Sequence, residues 1–127
     1  MEWRLDYIER EIQKLSLILN TIFKTLTGPD PGLPQEVSVS LVQEQLLSWE
    51  QQTDEALLKA ITENPAFNLE NIKLLAHIYY EKHQNNPTHT AARKKALLLY
   101  QFFAQQSKNT LDFTVYQRIQ LLQTDKN

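Results

Sequence analysis

His77 and Glu81 lie four residues apart, the spacing at which two side chains share one face of a helix. A histidine and a carboxylate placed in this way could hold a metal ion or pass a proton. A metal site needs a third ligand, however, and none lies on the same face. On a helical wheel His77 also lies about 60° from the apolar stripe through Tyr80. We therefore expect a half-exposed histidine with no metal-binding or catalytic role.

The other two histidines and the composition point to no further chemistry. His83 ends the apolar stripe of the same helix, where it meets the negative end of the helix dipole. His89 lies in a polar loop and is expected at the surface. The chain has no cysteine, which excludes disulfides, zinc ribbons and thiol nucleophiles, and its two glycines cannot build a phosphate-binding loop. We predict no catalytic residue, no metal ligand and no cofactor, and hence no enzyme.

A group of aromatic residues could line a small-molecule pocket. At helical spacing such residues are more typical of a core, and we favour that interpretation. The group consists of Tyr79, Tyr80, Tyr100, Phe102, Phe103, Phe113 and Tyr116.

The composition predicts one all-α domain. The chain has 127 residues, of which 42% are apolar and 22% charged, which suits a single globular domain. An all-β chain would need a turn about every ten residues, and two glycines cannot supply those turns. The net charge of −2 indicates neither a polyanion nor a membrane surface as partner. Without a signal-peptide pattern or a long apolar run, we expect a cytoplasmic protein with no membrane partner.

Residues 1–27 are predicted to form one long amphipathic helix. Its apolar positions alternate between spacings of three and four, which is a heptad pattern. Two interpretations stay open: a core helix packed in its own chain, or an interface helix that pairs two chains as a homodimer. The candidate interface residues are Leu5, Ile8, Ile12, Leu15, Leu19 and Ile22.

A linker at residues 28–37 separates this helix from a helical body at residues 38–123. The linker holds both glycines and three of the five prolines, and residues 124–127 form a polar tail. Short loops favour antiparallel neighbours, so we predict five to six antiparallel helices in all. The residues expected to cap or open the later helices are Ser38 or Ser40, Thr53, Asn68, Thr90 and Thr110. In the last helix we expect the inward side chains to be Phe113, Tyr116, Ile119 and Leu122.

Residues 68–80 resemble the first helix of a tetratricopeptide repeat. The matching positions are Ile72, Leu75, Ala76 and Tyr79, followed by Ala96 and Tyr100 in the second helix, with Pro65 closing an earlier repeat. The resemblance covers about residues 53–122. It departs at Ala76, where glycine is usual, at Phe103, where a small residue is usual, and in a hairpin about eight residues too long. It implies helical hairpins that form a partner-binding scaffold.

The N-terminal helix has a second, weaker likeness. Its Asp6-Tyr7-Ile8 sequence, Arg10 and the heptad pattern resemble the start of small uncharacterised bacterial helical proteins. This likeness implies no activity.

Charge is divided unevenly along the chain. Residues 31–70 hold seven acids and one base, whereas residues 71–108 hold six bases and one acid. The simplest interpretation is that these two segments pair across neighbouring helices. Alternatively, the bases, above all Arg93, Lys94 and Lys95, bind nucleic acid, or the two segments attract each other between two copies of the chain.

These patterns favour a non-catalytic protein–protein interaction or scaffold module that associates with itself or with another protein. The alternative is a helical nucleic-acid-binding domain that uses residues 71–108. An enzyme or ligand carrier is the third class, and no set of residues supports it.

Overall fold

The computed structural model describes residues 2–27, 37–107 and 112–124, and every regular element within them is an α-helix. This confirms the all-α class. The helices are α1 (Glu2–Thr27), α2 (Val37–Glu50), α3 (Asp54–Thr62), α4 (Leu69–Asn85), α5 (Thr90–Gln106) and α6 (Phe113–Thr124). None of these helices, over the part of the chain described, is both long and apolar enough to cross a bilayer.

The centre of the fold is the antiparallel hairpin of α4 and α5. Lys73 lies over the ring of Phe103, and one turn later the ring of His77 lies 5.4 Å from that of Tyr100. Residues later in α4 therefore contact residues earlier in α5, which means that the two helices are antiparallel. Ala76 and Ala96 are both fully buried between larger core residues, and their small side chains let the two helices approach closely.

Helix α1 runs parallel to α4, from which it is separated in sequence by two other helices. The Asn71 amide donates to the carbonyl of Ile12 over 3.0 Å, and the Asn85 amide donates to the carbonyl of Leu26 over 3.1 Å. Both bonds join residues 59 positions apart, which means that the two helices run in the same direction. The rule that short loops give antiparallel neighbours does not apply here, because no short loop joins them.

Two of the predicted helix caps are confirmed. Thr53 precedes α3, and its hydroxyl accepts a hydrogen bond from the Ala56 N–H over 3.1 Å. Asn68 precedes α4, and its side-chain oxygen accepts from the Asn71 N–H over 2.9 Å. Each cap satisfies a backbone donor that the first turn of a helix leaves free, which typically contributes about 1 kcal/mol.

The predicted starts of α2 and α5 are wrong. Helix α2 begins at Val37, so Ser38 and Ser40 lie inside it and cannot cap it. Helix α5 is preceded by His89, which makes no side-chain capping bond, and Thr90 is its first helical residue. The error at α5 is one residue, which is the usual uncertainty of a helix boundary read from sequence.

Parts of the predicted organisation lie outside the described residues: positions 28–36 of the linker, Thr110, and positions 125–127 of the tail. Immediately before α6, the Asp112 carboxylate accepts a hydrogen bond from the Val115 N–H over 3.2 Å. This carboxylate acts as a cap for α6.

The inward face of α6 differs from the prediction. Phe113 and Tyr116 were expected inside, but their side chains are 74% and 53% exposed, whereas Val115 and Leu122 are buried. The reason is geometric, because residues advance about 100° around a helix axis at each step. Phe113 and Leu122 are nine positions apart and therefore face opposite sides. Val115, Ile119 and Leu122 follow the true helical spacing.

Candidate functional site

One set of interacting polar side chains joins three helices, with His77 from α4, Tyr100 from α5 and Arg118 from α6. Arg118 Nη1 lies 2.9 Å from the Tyr100 hydroxyl and 3.0 Å from His77 Nδ1. The Tyr100 hydroxyl lies 2.5 Å from the same His77 nitrogen. We call these three residues the arginine–histidine–tyrosine cluster.

The directions of these hydrogen bonds follow from the arginine. A guanidinium can only donate, so His77 Nδ1 accepts from it and carries no proton. The Tyr100 hydroxyl accepts from Arg118 and directs its own proton at His77 Nδ1, whose one lone pair is shared between these two donors. The neutral imidazole of His77 therefore holds its proton on Nε2.

Burial and neighbouring charge keep this imidazole neutral. Desolvation is the largest effect, and the positive charges of Arg118 and Lys73 add to it, so that the pKa of His77 falls from 6.5 to about 4. Burial also raises the pKa of the Tyr100 phenol well above its usual value. Neither group changes charge near neutral pH.

The Arg118 guanidinium is held by aromatic and neutral groups. It lies 4.2 Å above the centre of the Tyr80 ring, and no described carboxylate forms an ion pair with it. Such cation–π contacts stabilise a partly desolvated cation without a counter-charge. The cluster thus fastens α6 to the α4–α5 hairpin.

The sequence correctly predicted that His77 is half-exposed, but it did not identify the neighbours of this side chain. Its partners are Tyr100 and Arg118, which lie 23 and 41 positions away, and not Glu81. Among the described residues, no three histidine or carboxylate side chains are arranged to hold a metal ion. His77 also lines a groove of about 190 Å³ between α1 and α4, together with Ser16 and Lys73.

A second polar group centres on Glu50, whose side chain is almost fully buried at the end of α2. Lys82 donates a hydrogen bond to one of its carboxylate oxygens, and His89 Nε2 lies 2.9 Å from the other. The prediction that His89 is a simple surface residue is therefore wrong. The ion pair between Glu50 and Lys82 joins the acidic segment of the chain to the basic one, as the simplest interpretation of the charge pattern requires.

The three basic residues singled out in sequence do not form one exposed patch. Lys95 is buried, and its ammonium lies 2.6 Å from the Gln52 carbonyl and 3.0 Å from the Asp54 carboxylate. Arg93 donates to the carbonyl of Leu122 over 2.7 Å. Lys94 alone of the three is exposed. The prediction that these residues act together on a partner is corrected on this ground.

The heptad residues of α1 mostly face their own chain. Leu19 and Ile22 lie in the core, Ile8, Ile12 and Leu15 are half-buried, and the side chain of Leu5 lies outside the described residues. Leu19 and Ile22 have no surface left for a second chain. This arrangement favours the core-helix interpretation, and it corrects the prediction that these two residues line an interface between chains.

The outer face of α6 was missed by sequence reasoning. It consists of Phe113, Tyr116, Gln117, Gln120, Leu121 and Thr124, all of them exposed. Three of these side chains are large and apolar, and none of the six is charged. A helical wheel drawn through Val115 and Leu122 would have identified this face, because it lies directly opposite.

No protein-family model, no curated protein and no solved structure matches this chain. The function is therefore argued from the geometry of the chain itself.

Proposed function

We propose that this chain is a non-catalytic protein–protein interaction module that associates with itself. The observation that carries the proposal is the outer face of α6, where three large apolar side chains are exposed on one uncharged helix face. Their exposed fractions are 74% for Phe113, 53% for Tyr116 and 51% for Leu121. Around the helix Phe113 lies between Tyr116 and Leu121, and exposed apolar side chains grouped with uncharged polar residues are typical of a binding surface.

Other exposed apolar side chains in the described residues do not form a comparable face. Leu41 and Leu47 of α2 are separated by the exposed charged residue Glu44, which lies between them both in sequence and around the helix. Tyr7 and Leu17 of α1 are separated by the exposed charged residues Arg10 and Lys14. The outer face of α6 is thus the best candidate contact surface.

The alternative function, nucleic-acid binding by residues 71–108, has less support. Lys73 and Lys82 pair with carboxylates, Lys95 is buried, and Arg93 is bonded to a backbone carbonyl. A nucleic-acid surface needs several free cations on one face to contact phosphates. Among the described residues the basic segment offers Lys94 for this purpose.

The tetratricopeptide-like hairpin is part of the proposal. The positions that carry the likeness in α4, namely Ile72, Leu75, Ala76 and Tyr79, are all buried against neighbouring helices. Stacked helical hairpins bury their apolar sides against a following unit, and the last helix of a stack needs a cover. In this comparison α6 corresponds to the last helix of a stack, and its exposed outer face corresponds to the side that needs a cover.

The test is the absolute mass of the full chain in solution by light scattering, over a wide range of concentrations. We expect a mass approaching twice the 14.9 kDa of one chain as the concentration rises. A mass of one chain at every concentration would contradict self-association.

A further inference from the structure

We infer that the groove between α1 and α4 binds the carboxylate group of a small organic acid, which accepts hydrogen bonds from His77 Nε2 and from the Ser16 hydroxyl. Both residues line this groove. The site is independent of self-association, because it lies on α1 and α4 and not on the outer face of α6.

The parallel course of α1 and α4 brings the two donors to the same level. The constant offset of 59 positions between hydrogen-bonded residues places His77 level with Ile18, between Ser16 and Asn20. Ser16 and Asn20 lie four positions apart and therefore share one face of α1. Further along α1, the ring of Phe23 lies 6.2 Å from the imidazole of His77. Helix α1 thus lies beside the imidazole ring, with Ser16 and Asn20 on its groove face.

His77 has a proton that it can donate to a ligand. Its Nδ1 accepts from Arg118 and Tyr100, so Nε2 carries the proton and lies on the other side of the ring. Among the described residues no atom accepts a hydrogen bond from Nε2, and Nε2 is not one of the fully buried atoms without a partner. A hydrogen-bond acceptor can use this N–H. A metal ion cannot, because it needs a free lone pair on the nitrogen.

The Ser16 hydroxyl is the second donor. The amide nitrogen of Asn20 donates to the Ser16 carbonyl over 2.9 Å and lies 3.4 Å from the Ser16 hydroxyl oxygen. An amide nitrogen cannot accept, so this contact does not use the hydroxyl proton of Ser16. In the part of the chain that the structure describes, no other atom accepts that proton. One donor on each wall of the groove suits the two oxygens of a carboxylate.

The charges around His77 favour an anion over a neutral acceptor. Arg118 donates to Nδ1, and a donor on one ring nitrogen polarises the imidazole and strengthens the N–H donor on the other. The positive charges of Arg118 and Lys73 each lower the pKa of His77 by more than the Asp112 carboxylate raises it. The imidazole therefore lies in a positive electrostatic environment, which stabilises a negative charge at Nε2.

Glu70 and the size of the groove restrict the ligand to a short monoanion. The Glu70 carboxylate lies 3.4 Å from Lys73 and is 75% exposed, so it repels a second anion in the groove, though solvent screens this repulsion. A phosphate group, with nearly twice the charge, is repelled more strongly than a carboxylate. The groove volume corresponds to about six water molecules, which leaves room for a carboxylate and a short aliphatic chain beside Leu74.

Butyrate and its neutral amide, butyramide, test the site on the full chain. NMR signals of the His77 ring are followed at neutral pH and constant ionic strength, with sodium chloride replacing the ligand salt. Butyrate should shift these signals saturably, and the dissociation constant of butyramide should be at least about tenfold higher. Absence of a saturable shift, or equal affinities for the two compounds, would overturn the inference.

Three variants test the location of the site. Asn20→Asp places a carboxylate beside Ser16 and should raise the dissociation constant of butyrate at least about tenfold. Gln52→Glu is the matched control, because the amide of Gln52 also contacts a serine four positions earlier, Ser48, over 3.2 Å at an exposed site. It should leave the dissociation constant within about twofold. Glu70→Gln removes the carboxylate of the groove and should lower the dissociation constant about threefold.

The opposite effects of two variants separate binding from loss of structure. Damage to the fold weakens binding, so it does not produce the gain expected of Glu70→Gln, and far-UV circular dichroism checks that all variants are helical. Equal effects of Asn20→Asp and Gln52→Glu would place butyrate outside the groove, as would an unchanged affinity in Glu70→Gln. A chain that is monomeric at every concentration and still binds butyrate in this pattern would contradict self-association and support the carboxylate site.

Discussion

Nη1 of Arg118 donates a hydrogen bond to Nδ1 of His77 over 3.0 Å, and this bond decides which imidazole nitrogen carries the proton. Protonation of Nδ1 would replace the accepted bond with two facing donors and would add a second positive charge beside the guanidinium. The same contact attaches α6 to α4. The position of α6, the helix that carries the proposed interface, is therefore coupled to the protonation state of His77.

This coupling predicts that the folded chain loses stability as pH falls from about 6.5 to about 4. The folded pKa of His77 is lowered to about 4, whereas an unfolded histidine titrates near 6.5, so in this window the unfolded chain binds the additional proton. The loss attributable to His77 should be about 3 kcal/mol in all, small at pH 6.5 and nearly complete at pH 4. Urea unfolding at a series of pH values measures it.

The variant His77→Gln provides the control, because glutamine keeps an acceptor for Arg118 but does not titrate. Its stability should fall less than that of the unmodified chain over the same pH range. NMR titration of the His77 ring gives a direct measurement, with an expected midpoint near 4. A midpoint near 6.5, or equal pH dependence of the two proteins, would contradict the lowered pKa.

The fold class and most helix positions could be predicted because their signals are local. Thr53 and Asn68 cap the helices that they precede through bonds to residues three positions later. Such patterns involve residues close together in sequence and do not depend on tertiary structure. Even the error at α6 was local, since a stripe of strict three-residue spacing drifts around the helix by about 60° at each step.

The polar groups could not be predicted because they join distant parts of the chain. Lys95 follows Lys94 in sequence, yet one ammonium is buried against Gln52 and Asp54 while the other is in solvent. The difference in burial between the two lysines depends on where the start of α3 lies relative to α5. The periodicity of α5 alone cannot supply that information, nor can it pair His77 with an arginine 41 positions away.

The two neighbouring lysines predict opposite responses to the same substitution. Lys95→Glu would bury a carboxylate against the Asp54 carboxylate and the Gln52 carbonyl, and should cost about 3–5 kcal/mol of unfolding free energy. Lys94→Glu changes an exposed side chain and should stay within about 0.5 kcal/mol. Urea unfolding at neutral pH compares them. Equal effects would mean that Lys95 does not occupy its buried position.

The buried amide of Asn71 should be essential for the attachment of α1. Its two N–H groups donate to the carbonyls of Ile12 and Ala66, at 3.0 and 2.8 Å. Asn71→Asp keeps the shape but turns a carboxylate toward both carbonyl oxygens, and should cost at least about 3 kcal/mol. Asn20→Asp loses a similar bond, to the Ser16 carbonyl, at an exposed site, and should cost less than about 1 kcal/mol. Similar losses from both substitutions in urea unfolding would argue against the α1–α4 contact.

Two leucines of α1 decide whether the heptad pattern serves the core or an interface between chains. Leu19 is fully buried in its own chain, whereas Leu17 is 71% exposed on the same helix. Leu19→Ala should reduce the unfolding free energy by about 3–5 kcal/mol, because it removes buried surface and leaves a cavity, while Leu17→Ala should change it by less than about 0.5 kcal/mol. Circular dichroism during urea unfolding measures both values.

The mass of the same two variants completes this comparison. If α1 is a core helix, Leu19→Ala should leave the dissociation constant of the folded dimer within about threefold of the unmodified value, because the side chain does not reach the surface. A folded Leu19→Ala chain that has become monomeric would instead place Leu19 between two chains. That result would place the heptad residues of α1 at the interface between chains and would argue against an interface formed by α6.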